Sequence, residues 1–232
     1  METQETVVMS VGGSLIVPDQ IDTVFLTQVK NLIERQISAY GRRFIIIAGG
    51  GKTARRYQDA AAEVSDLNPE DLDWMGIHAT RLNGHLIRTI FRDIAYPEII
   101  TNPDDINKVP KEAKLVIAAG YRPGASTDLR AVQIAIHRNA TRVINLSNID
   151  YVYTADPKKD SGAEKIEDIT WNDFITLIPD EWNPGLSSPF DPVAARTASE
   201  YALEVSVLNG KNISEIEKYL NGEVFEGTRI HP

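Results

Sequence analysis

The stretch from Phe44 to Thr53 reads FIIIAGGGKT, in which five apolar residues lead directly into three glycines and a lysine. An apolar run of this length without polar alternation is typical of a strand covered on both faces, as in a parallel sheet. Glycine directly after such a run indicates a tight turn at the carboxyl end of the strand. The pattern recurs, and four further runs predict strands at Val7–Val11, Lys114–Ala119, Arg142–Leu146 and Val205–Leu208.

Amphipathic segments lie between the predicted strands. Apolar residues at helical spacing predict one helix from Val24 to Ile37, which Gly41 ends. Other helices are predicted at Leu72–Ile94, at Asp128–His137, from Thr170 to near Ile178, and from Asp191 onward. Alternating strands and helices with right-handed crossovers predict a three-layer α/β/α sandwich with a mostly parallel central sheet. Ligands are then expected at the carboxyl ends of the strands.

Composition excludes several classes of function. The chain has 232 residues, a net charge of -9 and no cysteine. A disulfide framework, a zinc–thiolate site and a cysteine nucleophile are therefore excluded, and the acidic balance disfavours nucleic acid as a partner. The apolar runs are far shorter than the roughly 20 residues of a membrane span. The polar, acidic first residues do not resemble a signal peptide, so we expect a cytoplasmic protein without a membrane partner.

Three glycine-rich turns carry the main functional signal. They lie at 11–14, at 49–53 and at 120–128, each after a predicted strand. Glycine lets the backbone approach a ligand, and a following helix directs free N–H groups at an anion. One such turn has an equally good structural explanation, but three in series favour phosphorylated ligands, and Lys52, Arg55 and Arg122 place cations beside them. None matches the P-loop or the Gly-x-Gly-x-x-Gly pattern, which disfavours a dinucleotide oxidoreductase.

The segment from Ser147 to Asp160 has two interpretations. It contains two tyrosines, three aspartates and a pair of lysines after a predicted strand. One interpretation is a solvated hairpin in which Asp156-Pro157 marks a turn. The other is a nucleotide platform, with an aromatic wall for the base, a carboxylate for the sugar and lysines for phosphate.

Four motifs together resemble the amino acid kinase superfamily, and within it the archaeal-type UMP kinase branch. They are Gly-Gly-Ser at 12–14, Gly-Gly-Gly-Lys at 49–52, Pro-Gly-x-Ser-Thr-Asp at 123–128 and Val-Tyr-Thr-Ala-Asp-Pro at 152–157. The resemblance extends from Val7 to Thr228. It implies a single amino acid kinase-like domain over 1–232, with an acceptor-binding half at about 1–127 and an ATP-binding half at about 128–232.

The resemblance also implies an activity, Mg²⁺-dependent transfer of the ATP γ-phosphoryl group to UMP in pyrimidine nucleotide synthesis, and a homohexameric assembly. For ATP it implies Gly13, Ser14, Gly51, Arg55, Ser147, Asn148, Tyr153 and Asp156. For UMP it implies Gly50, Asp73, Tyr121, Arg122, Pro123, Gly124, Ala125, Ser126 and Thr127. We assign Lys52 and Asp128 as the catalytic pair facing the transferred phosphoryl group; the residues that hold the metal are not identified.

Two alternatives stay open. A related kinase could act on another small phosphate such as isopentenyl phosphate, although Asp73 predicts a polar acceptor pocket. The second alternative is a nucleotide-binding or storage protein without turnover. It is suggested by Ser10, where many superfamily members carry lysine, and by Tyr151, where glycine is usual.

Overall fold

The computed structural model describes residues 5–179 and 188–232, which include every residue predicted for the site. The strands are β1 (Thr6–Val11), β2 (Arg43–Ala48), β3 (Ala95–Ile100), β4 (Leu115–Ala118), β5 (Arg142–Ser147), β6 (Val152–Tyr153), β7 (Lys165–Ile166), β8 (Asp168–Thr170), β9 (Glu204–Asn209) and β10 (Thr228–His231). The α-helices are α1 (Gly13–Ile16), α2 (Thr23–Tyr40), α3 (Gly51–Val64), α4 (Pro69–Ile90), α5 (Thr127–Arg138), α6 (Trp171–Leu177), α7 (Pro192–Glu200) and α8 (Ile213–Asn221); Pro103–Lys108 is a 3₁₀ helix.

Eight strands form one sheet in the order β3-β4-β2-β1-β5-β9-β10-β8. All neighbouring pairs are parallel except β9 and β10, which are antiparallel. Strands β6 and β7 form a separate antiparallel hairpin. The mostly parallel sheet confirms the predicted fold class.

Helices cover both faces of this sheet because its strands are apolar on both sides. Along β1, Val8 packs into the core beneath α5, α6 and α7. Its neighbours Val7 and Met9 pack into the opposite core, with α1, α2 and α8. Two separate apolar layers therefore enclose the sheet, and their burial supplies most of the driving force for folding.

The strand order places a crevice at the carboxyl edge between β1 and β5. The chain passes from β1 to β2 on one side, and β5 returns to pair with β1 on the other. In open parallel sheets the loops diverge at such a reversal, and ligands bind there. The Gly12 N–H donates to the Leu146 carbonyl across this crevice at 2.8 Å, so the first glycine turn lies directly beside the end of β5.

The five predicted strands are all present, whereas β3, β8 and β10 were not predicted. Strand β3 is at an edge, contains Pro97, and has an irregular register between Ala95 and Ile99. Its partly exposed sequence therefore lacks the continuous apolar run on which the prediction relied. Among the described residues, no helix has the length and apolar character required to cross a membrane.

Candidate active site

The first two glycine turns pack directly against each other at the carboxyl edge. A Cβ atom built on Gly13 would lie 1.9 Å from the Gly51 nitrogen, and one on Gly49 would lie 2.3 Å from the Gly13 nitrogen. Gly51 also has φ +64°, in the left-handed region that favours glycine. The absence of side chains thus lets the two turns pack against each other, and their contact with a phosphorylated ligand stays a prediction.

Helix α4 fixes two of the three turns through its buried polar side chains. The Asn83 Nδ2 group donates to the carbonyl oxygens of Gly49 and Gly50, at 2.8 and 3.1 Å. The Thr80 hydroxyl oxygen accepts from the Gly120 N–H at 2.8 Å. Sequence reasoning missed both residues; polar side chains on the apolar face of a helix were the available signal.

A pocket of about 290 Å³ lies between α3, α4 and the third glycine turn. Its lining includes predicted UMP-binding residues from three separate segments. These are Gly50, Asp73, Ala125, Ser126 and Thr127. Gly51 and Arg55, which the resemblance places on the ATP side, line the same pocket. Arg55 therefore lines the same pocket as residues predicted to bind UMP.

Asp73 holds the third turn in place. Its Oδ2 atom accepts the Gly124 N–H at 2.8 Å, across a sequence separation of 51 residues. Ser126 begins α5, since its hydroxyl oxygen accepts the Leu129 N–H at 3.1 Å. Because the turn is fixed at Asp73 and at its helix, its final residues are held at the pocket.

The middle of the same turn faces a different environment. Gly120 lines the pocket, whereas the predicted UMP-binding residues 121–124 are not part of its lining. The guanidinium carbons of Arg122 and Arg130 lie 5.6 and 5.5 Å from the centre of the Tyr121 ring, within cation–π range. Arg130 is 5% exposed and was not predicted to belong to the site.

Asp128 lies at the start of α5, partly buried and close to a second carboxylate, Asp191. Its Oδ1 atom accepts the hydroxyl proton of Ser10, which is buried on β1, at 2.9 Å. Burial raises the pKa of Asp128 to about 6; the Ser10 hydrogen bond opposes this shift and the charge of Asp191 adds to it. Asp191 begins α7 by accepting the Ala194 N–H at 2.7 Å, while its Oδ2 atom has no hydrogen-bond partner in residues 5–179 and 188–232.

Lys52 occupies a different environment from Asp128. Its ammonium group lies 3.2 Å from Asp19 Oδ1 and its side chain is 46% exposed. Arg56 contacts the same carboxylate at 2.8 Å. No hydrogen bond or ion pair joins Lys52 to Asp128 within the described part of the chain, so the structure does not bring the proposed catalytic pair into contact.

Apart from Gly51 and Arg55, the residues predicted for ATP lie at the carboxyl ends of β1 and β5 or in the β6–β7 hairpin. Gly13 and Ser14 begin α1, and Ser147 ends β5, where its hydroxyl oxygen accepts the Ile149 N–H at 3.3 Å. Asn148 follows in the same turn. The Gly210 N–H donates to the Ser147 carbonyl at 2.8 Å, which joins this turn to the end of β9.

Tyr153 and Asp156 belong to the β6–β7 hairpin. Tyr153 pairs with Lys165, and the exposed Asp156 accepts the Lys158 N–H at 3.0 Å in a turn. The hairpin interpretation of this segment is therefore confirmed, and the nucleotide interpretation stays a prediction. Tyr151, in place of the usual glycine, lies under the Lys165 ammonium group at 4.8 Å.

The fold and these glycine-rich edge loops are typical of the class of α/β proteins that bind phosphorylated small molecules. Comparison with known proteins identifies the family. The model of the amino acid kinase family matches residues 5–209, and the chain belongs to this family.

Its relatives extend over almost the whole chain. Uridylate kinase of Methanocorpusculum labreanum is 33% identical over 97% of this chain and 94% of its own length. Uridylate kinase of Methanosarcina barkeri is also 33% identical, over 97% of this chain and 95% of its own length. The crystal structure of uridylate kinase from Archaeoglobus fulgidus superposes with a TM-score of 0.78 at 27% identity, covering 97% of this chain and 99% of the other.

Proposed function

We propose that this protein is a UMP kinase, which transfers the γ-phosphoryl group of ATP to UMP and releases UDP and ADP for pyrimidine nucleotide synthesis. The observation that carries the proposal is the similarity to uridylate kinases over nearly the whole chain. The pocket supports it, because Arg55, Asp73, Ser126 and Thr127 give the lining polar side chains suited to a nucleotide. An isopentenyl chain would require an apolar lining instead.

Positioning and charge neutralisation account for the reaction. Phosphoryl transfer requires two phosphates aligned in line, and a phosphate acceptor needs no general base. In our proposal, the Arg55 guanidinium binds the UMP phosphate, and the peptide N–H groups of the Gly13 and Gly51 turns bind ATP phosphates. The Lys52 ammonium must leave Asp19 before it reaches a phosphate, and this exchange is compatible with an exposed, weak ion pair.

The two neighbouring carboxylates of Asp128 and Asp191 suit a bound Mg²⁺ ion. Magnesium is usually bound by one or two carboxylates together with substrate phosphates, and it neutralises their charge. Asp191 Oδ2 is a buried oxygen without a hydrogen-bond partner in the described residues, and Asp128 lies beside it. We therefore propose that Asp128 and Asp191 hold the ion and that Ser10 orients the Asp128 carboxylate.

Our proposal divides these residues between the two nucleotides, with Gly51 and Arg55 at the boundary. We propose that Gly50, Asp73 and residues 121–127 bind UMP. Donor binding is proposed for Gly13, Ser14, Gly51, Ser147, Asn148, Tyr153 and Asp156. Arg55 lines the acceptor pocket, and we propose that it contacts mainly the phosphate of UMP.

We further propose a homohexamer that acts in the cytoplasm, where ATP is made and consumed. Apolar side chains exposed on α3 and α4 support self-association. They are Tyr57, Val64, Trp74 and Leu82. Such exposed apolar residues mark contact surfaces when they cluster on adjacent elements.

A coupled assay that follows ADP release tests the function. UMP, CMP, dTMP, AMP and isopentenyl phosphate are offered separately with ATP and Mg²⁺, and UMP should give the highest kcat/KM. The Asp128→Asn variant serves as the inactive control. Absence of UMP-dependent ADP release would refute the proposal, and ATP binding without transfer to any acceptor would favour the storage alternative.

A further inference from the structure

A second cavity lies at the opposite edge of the sheet from the active site. Its volume is about 750 Å³, and it opens at the amino ends of β1, β2 and β5, beside the carboxyl end of α5. We call it the amino-edge cavity. Its charged and titratable lining residues are Glu5, Arg43, Lys111, His137, Arg138 and Arg142.

The amino-edge cavity concentrates positive charge in an acidic protein. Four of its lining side chains are cationic and one is a carboxylate, although the chain carries a net charge of -9. That carboxylate, Glu5, already forms ion pairs with Arg42, at 2.9 Å, and with Arg142. Glu5 is thus committed to one wall of the cavity, and neither Lys111 nor Arg138 forms an ion pair with it.

Two cations of the cavity, Arg138 and Lys111, form no ion pair within the described residues. Arg138 donates to the Val109 carbonyl at 2.8 Å and forms no ion pair with a carboxylate in residues 5–179 or 188–232. Burial and the nearby Arg43 charge lower the pKa of Arg138, against a smaller opposing effect of Glu112. The Lys111 ammonium has neither a hydrogen bond nor an ion pair within the described residues.

Helix capping explains only part of this arrangement. His137 and Arg138 lie in the last turn of α5, where positive charge complements the helix dipole, and His137 also contacts Asp104 at 3.2 Å. Lys111 belongs to the loop before β4, and Arg43 and Arg142 begin β2 and β5. Cations from four separate segments therefore converge on one cavity, and repulsion between Arg43 and Arg138 would be relieved by a bound anion.

We propose that the amino-edge cavity binds a small anion that carries two or more phosphate groups. Arginine and lysine together suit this chemistry, because the guanidinium group binds phosphate oxygens in pairs and the ammonium group adds a mobile charge. The volume falls within the range of small-molecule sites and exceeds that of the acceptor pocket. Helix α5 begins at the acceptor turn and ends in this cavity, so both ligands would contact one helix.

Isothermal titration with inorganic tripolyphosphate tests the proposal without relying on catalysis. Wild-type protein should show two binding events, one at each edge of the sheet. Lys111→Gln combined with Arg138→Gln should weaken one event by about tenfold or more, since charged hydrogen bonds are lost. Lys111→Gln alone should weaken the same event by a smaller factor. Because Lys111 has no partner to lose among residues 5–179 and 188–232, this variant avoids a folding defect.

Two controls separate the sites. Lys30→Gln, on α2, with Arg92→Gln, in the turn after α4, removes the same charge away from both sites and should leave both events unchanged. Arg55→Ala should weaken only the event at the active-site edge. If Lys111→Gln and Arg138→Gln weaken no binding event of the wild-type protein, the proposal is overturned whether or not the protein phosphorylates UMP.

Discussion

At the scale of single residues, Asp128 combines a proposed catalytic role with a cost to stability. The partly buried carboxyl lies beside Ser10 and Asp191, and desolvation raises its pKa to about 6 from an ordinary value of 3.8. The folded protein therefore binds this proton more tightly than the unfolded chain does. Stability falls as the pH rises from about 4 to about 6, and the full penalty persists above that range.

Asp128→Asn should consequently stabilise the protein near neutral pH. We expect a gain on the order of 1–3 kcal/mol in the free energy of unfolding at about pH 7.5, shrinking towards zero at about pH 4, together with loss of phosphoryl transfer. Urea unfolding at both pH values measures the difference. Asp93→Asn, at a side chain 94% exposed, is the matched control and should show no such pH dependence. An equal gain at both pH values would contradict the explanation.

The Arg55→Ala variant tests the proposed division of the site between ATP and UMP. The motif resemblance places it on the ATP side, whereas the structure places it in the pocket with Asp73. We expect Arg55→Ala to raise the KM for UMP by about tenfold or more, and the KM for ATP by less, because a charge-assisted phosphate contact is lost. Steady-state kinetics with each substrate varied in turn measure both constants.

The neighbouring Arg56 supplies the matched control. Its guanidinium group contacts Asp19 at 2.8 Å and its side chain is exposed. Arg56→Ala removes the same charge one position away and should change either KM by less than about twofold, as expected for a surface ion pair. A larger rise in the KM for ATP than for UMP in Arg55→Ala would support the division implied by the resemblance.

At the scale of elements, the two packed glycine turns form one structural unit. The loss of stability caused by each of three glycine-to-alanine substitutions should therefore depend on what surrounds the added Cβ atom. Gly13→Ala should destabilise by several kcal/mol, since its Cβ would lie 1.9 Å from a backbone nitrogen that cannot rotate away. Gly124→Ala, with φ +82° and no atom within 4 Å, should cost about 1–2 kcal/mol of backbone strain.

Gly76→Ala completes the series as the tolerant case. Gly76 lies within α4, and its Cβ would make an ordinary contact of 3.6 Å with Gln58. Alanine in a helix interior should raise stability by up to about 1 kcal/mol. Urea unfolding of the three variants measures the order, and Gly13→Ala tolerated as well as Gly76→Ala would show that the turns can separate.

The sequence was most informative where local pattern and tertiary structure agree. Continuous apolar runs predicted β1, β2, β4, β5 and β9, because buried parallel strands need such runs. Thr170 and Asp191 were correctly predicted to begin helices, since N-caps depend on nearby residues alone. Edge strand β3 and short strand β8 carry no comparable local signal.

The contacts within the site required the folded structure. Asn83 binds the turn at Gly49 from a helix far along the chain, and Ser10 reaches Asp128 across 118 positions. The sequence identified Asp128 through a motif, but neither its Ser10 partner nor its raised pKa. Such contacts depend on which strands become neighbours, and the spacing of residues along the chain does not specify that.

At the scale of the whole molecule, exposed apolar side chains on α3 and α4 bear on assembly. If they form contacts between copies, wild-type protein should sediment as a hexamer of 25.8 kDa chains. Leu82→Glu should shift it to smaller species, because burying a carboxylate without a partner is costly. Val224→Glu, at a site 93% exposed in the loop before β10, should leave the assembly intact. Analytical ultracentrifugation distinguishes these outcomes, and a monomeric wild-type protein would contradict the hexamer.

Strand β10 lies between β9 and β8 in the sheet, although β8 is synthesised some sixty residues earlier, at Asp168–Thr170 against Thr228–His231. Thr228 also fixes the β6–β7 hairpin: its hydroxyl oxygen accepts the Val152 N–H at 2.8 Å, and its hydroxyl donates to the Ile166 carbonyl. During translation, β8 and this hairpin therefore cannot form these contacts until Thr228 has left the ribosome. The nascent chain would complete its acceptor pocket first, and the hairpin proposed to hold ATP would be anchored only when β10 is added.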